Sequence, residues 1–240
     1  MWDFETSEKF QELCGHKGSV CTIQFSPFNN NQYLCSGSWD KTLRLWDIKT
    51  GKMLSVFNGH TSCVWRVEFS PVQSEGDTND DQCTGNGVVG GAGYTLCSAS
   101  HDNTIRQWDV EQAKELAVFK GHENYVYSVK YSSTGTTLCS GSEDKTVRLW
   151  DIRSKKNIHI LRGHTKAVWA VEYERANTIC SGSIDNTIRF WDTRVNKQLH
   201  VINGGNDDKG ILSIYFQTSK EDRGQQLIYG TCNGPIRIYK

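Results

Sequence analysis

The chain has 240 residues, 27 basic and 27 acidic, and so carries no formal net charge. That balance argues against nucleic acid as the principal partner, because phosphate binding needs a basic surface. No stretch reaches the roughly 18 apolar residues of a membrane helix, and the opening MWDFETSEKFQEL has neither the basic segment nor the apolar run of a secretory signal, so a cytoplasmic or nuclear protein without a membrane partner is expected.

Taken in order, residues 1–14 hold a Trp2-Asp3 pair and an apolar stretch from Phe10 to Leu13. Residues 15–58 open on Gly15-His16, alternate through Val20 and Ile23, run through LCSGSWDKTLRLWD and close after Met53 to Phe57. Residues 59–120 repeat this from Gly59-His60 to LCSASHDNTIRQWD, interrupted by an insertion at 71–93 that is acidic first and glycine-rich after, the composition of a mobile loop. Residues 121–162 carry Gly121-His122 and LCSGSEDKTVRLWD, and residues 163–203 carry Gly163-His164 and ICSGSIDNTIRFWD. Residues 204–240 keep the pattern in degraded form, with Asp207, Tyr229, Asn233 and Tyr239 where the other units have His, Ser, Asp and Trp.

Without the insertion the period is just over 40 residues, and six of the eight tryptophans precede Asp. Each period reads as four short strands separated by turn residues, with no sustained helical pattern. Four-stranded sheets recurring at this spacing are the blades of a β-propeller. The nine cysteines form no C-x-x-C pair, and Cys35, Cys97, Cys139 and Cys180 recur at one strand position, where a small buried hydrophobe is expected rather than a metal or redox group.

The period, the Gly-His pairs and the Trp-Asp pairs resemble the WD-repeat family over nearly the whole chain. The resemblance implies an all-β propeller of four-stranded antiparallel blades, five of them readable and the fifth degenerate. Because residues 1–14 read as the tail of a preceding repeat, a piece of a larger, seven-bladed ring is favoured over a complete five-bladed one. In the latter, Phe10 to Leu13 would supply the outer strand missing from the last blade, sparing the ring an open sheet edge.

Every intact unit holds a His, a Ser, an Asp and a Trp at fixed spacing. The sets are His16, Ser36, Asp40 and Trp46; His60, Ser98, Asp102 and Trp108; His122, Ser140, Asp144 and Trp150; His164, Ser181, Asp185 and Trp191. A catalytic triad is needed once, beside a cleft and an oxyanion hole, so four copies point to a structural device. The resemblance implies its wiring: Trp donates to Ser, Ser to one His nitrogen, and the other His nitrogen to Asp. No catalytic residue, cofactor, metal or small-molecule substrate is expected.

The resemblance also implies a docking face formed by the Gly-His loops and the Asp turns. Its expected positions lie three and five residues after His and one before the turn Asp. These are Ser19, Cys21 and Trp39; Cys63, Trp65 and His101; Tyr125, Tyr127 and Glu143; Ala167, Trp169 and Ile184; with Gly210, Leu212 and Cys232 in the fifth unit. Trp39, Trp65, His101, Tyr125, Tyr127, Glu143, Trp169 and Ile184 are the candidate partner-binding residues, since clustered aromatic side chains favour interaction sites. The expected function is a scaffold or adaptor of a multiprotein complex that binds proteins or peptides on this face. The alternatives are a substrate receptor of a ubiquitin ligase, which would need arginines there, and a G-protein β-like signalling subunit. Arg44, Arg106, Arg148, Arg189 and Arg237 are expected to pack their stems between blades.

Overall fold

The structure, a computed structural model, describes residues 11–71, 94–218 and 225–239. Blade one is β1 (Val20–Phe25), β2 (Tyr33–Ser38), β3 (Leu43–Asp47) and β4 (Lys52–Phe57). Blade two is β5 (Val64–Phe69), β6 (Thr95–Ser100), β7 (Thr104–Asp109) and β8 (Lys114–Lys120). Blade three is β9 (Val126–Tyr131), β10 (Thr137–Ser142), β11 (Thr146–Asp151) and β12 (Lys156–Arg162). Blade four is β13 (Val168–Arg175), β14 (Thr178–Ser183), β15 (Thr187–Asp192) and β16 (Lys197–Asn203). Blade five has β17 (Ile211–Thr218), β18 (Gln225–Thr231) and β19 (Ile236–Tyr239). Each sheet is an antiparallel meander in chain order, so the molecule is an all-β, five-bladed propeller.

The fifth sheet has three strands among the described residues. Of the segment expected to add a fourth, Phe10 lies outside the described residues. Gln11 to Leu13 form no strand, and the Gln11 amide sits at the Gly51 turn of the first blade. The insertion follows β5 after Pro71; its residues 72–93 lie outside the described residues.

Local chemistry accounts for the blades. The second strand is the most deeply buried in each intact blade, and its Cys35, Cys97, Cys139 and Cys180 are fully enclosed, so burial holds their thiols protonated and inert. The Asp turn between second and third strands places Lys41, Asn103, Lys145 and Asn186 in the left-handed region, with φ between 64 and 71°, a conformation Asn tolerates best among non-glycine residues. From blade three to four and from four to five, the blades approach closely at a glycine of the second strand. A Cβ on Gly141 would fall 2.8 Å from a Val168 methyl carbon, and one on Gly182 2.7 Å from an Ile211 methyl carbon.

The inner strands of neighbouring blades carry the apolar seam. Val64 and Val67 of blade two are 0% and 1% exposed, as are their counterparts Val126 and Val129, both 0%, in blade three. On blade one the same positions, Val20 and Ile23, are 51% and 58% exposed. On blade five the opposite face is bare: Ile236 is 76% exposed, whereas Leu43, Ile105, Val147 and Ile188 at that position are sealed. A Cβ on Gly230 would meet only Ser213 of its own blade among the described residues, where the glycines of inner blades meet the next blade.

Candidate functional site

The four His-Ser-Asp-Trp sets are assembled as fold supports. In blade three, Trp150 Nε1 donates to Ser140 Oγ at 2.8 Å, Ser140 Oγ lies 2.7 Å from His122 Nε2, and His122 Nδ1 lies 2.7 Å from Asp144 Oδ2. Because Ser140 accepts from the indole, its own hydrogen is free for Nε2, which leaves the imidazole proton on Nδ1, facing the carboxylate. Blades one, two and four repeat the geometry, with His–Asp distances of 2.8, 2.8 and 2.9 Å. Burial pushes His60 and His122 below the ordinary imidazole range despite the aspartate beside each. Burial alone would raise Asp40, Asp102, Asp144 and Asp185, but their hydrogen bonds outweigh it and hold all four well below the carboxylate range.

The set is larger than the sequence reading assigned. Thr42, Thr104, Thr146 and Thr187 each donate a hydroxyl to Oδ1 of the turn Asp at 2.6 Å. The backbone N–H following each His donates to Oδ2, from Lys17, Thr61, Glu123 and Thr165. The signal for Thr was present, two residues after Asp in all four units. In blade five it is Asp208, not Asp207, that is buried, held by a two-pronged contact from Arg237 with the shortest distance 2.7 Å. The heads of three other arginines also have a place in their own blade. The guanidinium groups of Arg44, Arg106 and Arg148 lie against the Trp and the glycine of the Gly-His pair, with an Nη2 at 3.9 to 4.0 Å from the turn Asp. The sequence shows their sheet face but not that a carboxylate waits on it.

The loop-face positions are brought to equivalent places by one recurring bond. The residue before the turn Asp donates its N–H to the carbonyl of the residue three after His: Trp39 to Ser19, His101 to Cys63, Glu143 to Tyr125, Ile184 to Ala167, and Cys232 to Gly210. On this frame the side chains of blades two, three and four merge. His101 stacks between Trp65 and Tyr125, with ring centroids at 4.9 and 4.3 Å. Tyr127 stacks on Trp169 at 4.6 Å, and Trp65 meets both of these edge-on at 5.7 and 5.8 Å. Tyr127 is buried under the cluster and donates its hydroxyl to Glu143 Oε2 at 2.8 Å. Ile184 joins Glu143 and Trp169 around a depression between blades three and four. Trp39 is exposed and makes no ring contact with this cluster among the described residues.

Comparison with known proteins bears on both frame and face. The family model described as "WD domain, G-beta repeat" matches residues 7–47, 51–109, 113–151 and 155–192, more than half of the chain. The chain belongs to the WD-repeat family. Among individual WD-repeat relatives, the periodic tryptophan protein 2 homolog of Schizosaccharomyces pombe is 40% identical over 45 residues, 19% of this chain and 5% of that protein. The WD40 repeat-containing protein HOS15 of Arabidopsis thaliana is 50% identical over 38 residues, 16% of this chain and 6% of that protein. The matched stretches thus span a small fraction of these relatives. The WD40 β-propeller domain of Doa1 superimposes with a TM-score of 0.73 at 24% identity, over 95% of this chain and 66% of that one. This WD-repeat propeller therefore has the general build of a protein-interaction scaffold.

Proposed function

We propose that the chain is a non-enzymatic scaffold or adaptor that holds peptides or partner proteins on the aromatic loop face of blades two to four. The observation that carries this reading is the merging of Trp65, His101, Tyr125, Tyr127 and Trp169 from three blades into one stacked surface. Aromatic side chains are stiff and carry large contact area, which suits them to binding hot spots. The triad-like residues are committed to the blades' own hydrogen bonds, which supports a role without chemistry. The buried thiols suit a reducing compartment, cytoplasm or nucleus.

The test is affinity capture from cell extract with the wild-type chain and with a paired Trp65→Ala and Tyr127→Ala variant, its fold checked by circular dichroism. Specific partners should be lost from the variant at unchanged secondary structure. Capture that is indifferent to both substitutions overturns the proposed face.

A further inference from the structure

Glu143 is the only carboxylate among the loop-face positions, and it is not ion-paired among the described residues. Its Oε2 accepts the Tyr127 hydroxyl at 2.8 Å, and among the described residues no Lys or Arg forms an ion pair with it. Other sheltered carboxylates have partners in full: Glu68 has Lys130 at 2.9 Å, Asp208 has Arg237 at 2.7 Å, and Asp185 has His164, the Thr165 N–H and the Thr187 hydroxyl, where Glu143 has the Tyr127 hydroxyl. A half-buried carboxylate without a counter-charge costs free energy that a ligand cation can recover. Glu143 also borders a depression of about 460 Å³ whose wall includes Trp169 and Ile184. An indole ring, an aliphatic side chain and a carboxylate converging on one hollow match a basic side chain, whose stem is apolar and whose head is cationic.

The rim narrows the ligand further. Lys145 and Lys166, both exposed, line the same depression. They oppose a run of basic residues and attract acidic ones on either side of the anchor. We infer that the hollow between blades three and four takes a single Arg or Lys side chain of a partner segment whose flanking residues are acidic. This rests on the docking face proposed above and names the chemistry it recognises.

The test uses the intact chain labelled with 15N and follows the Trp169 indole resonance, assigned by its disappearance in Trp169→Phe. Four blocked tripeptides are titrated: glutamyl-arginyl-glutamate, its lysyl counterpart, its norleucyl counterpart, and lysyl-arginyl-lysine. The arginyl or lysyl peptide with glutamate flanks should shift the resonance saturably, at least tenfold more tightly than the other two classes. Glu143→Gln should weaken that binding at least tenfold with the thermal midpoint unchanged. Equal binding of the norleucyl peptide overturns the basic anchor and leaves the aromatic docking face standing. Equal binding of the lysine-flanked peptide overturns the acidic-flank part. Equal binding by the Trp65→Ala, Tyr127→Ala variant removes the docking face itself, and no saturable shift in tens of millimolar peptide overturns the anchor.

Discussion

His122 and Asp144 meet across 22 residues of chain, Nδ1 to Oδ2 at 2.7 Å, both side chains almost wholly enclosed. Removing the imidazole would leave a buried carboxylate short of its donor and Ser140 short of its acceptor. Breaking a buried hydrogen-bonded pair of this kind costs about 3 kcal/mol. For a domain of this size that is about 6–12 °C in thermal midpoint. His122→Ala should show this loss in a thermal melt, while tripeptide binding to the remaining folded protein stays within twofold of wild type. Lost binding at unchanged stability would mean the set serves a ligand instead of the blade.

The same sets fix how stability responds to acid. His60 and His122 are held below the ordinary imidazole value by burial, so the unfolded chain takes up their protons first. Their contribution is complete above about pH 6.5 and declines as pH falls from there toward the folded value. The turn aspartates are depressed in the fold, so their contribution persists to about pH 4 and is lost on further acidification. Urea midpoints should therefore be flat between pH 8 and 7, fall from pH 6.5 to 5, and fall more steeply below pH 4. A protein that gains stability from pH 7 to 5.5 would contradict this assignment.

The blades and the His-Ser-Asp-Trp sets were legible in the sequence because each is stated four times, so spacing alone separated structure from accident. The loop-face positions came from the family resemblance, which says nothing of their merging. Stacking of His101 on Tyr125 depends on side-chain direction across two blades, which no period encodes. The degenerate unit keeps the register, with Gly210 three after Asp207 bonded to Cys232, but not the chemistry. There Arg237 pairs with the neighbouring Asp208, a contact no repeat spacing announces. The thresholds of burial at the two end blades were equally hidden, since Val20 and Val64 are identical in sequence terms and differ only in what lies against them.

That difference is testable by placing one charge in two equivalent sites. Val67 is 1% exposed against blade one, and Asp there would be an unpaired buried charge. Val67→Asp should cost about 4 kcal/mol or prevent folding. Ile23, at the matching position of blade one, is already in solvent, so Ile23→Asp should change stability by less than about 0.5 kcal/mol. Equal destabilisation by both substitutions would show that the outer face of blade one is covered in solution.

Lys130 ties three inner strands together from the middle one. Its ammonium lies 2.9 Å from Glu68 and 3.4 Å from Glu172, and Gln24 of blade one donates to Glu68 at 2.9 Å. Burial opposes the charge on Lys130, but the two glutamates outweigh it and raise its pKa; burial also pushes Glu172 upward. Lys130→Met keeps the aliphatic stem and removes the ammonium from between two sheltered carboxylates, with Arg66 the remaining cation in electrostatic reach of the position. Since Lys130 remains partly in contact with solvent, the expected cost is about 2 kcal/mol at pH 7, below that of a fully buried pair. The deficit should shrink toward pH 5, where one carboxylate takes up a proton and the repulsion ends. Adding Glu172→Gln to Lys130→Met should restore part of the loss at pH 7. Denaturant midpoints at the two pH values separate this account from simple loss of packing, for which the deficit would be the same at both.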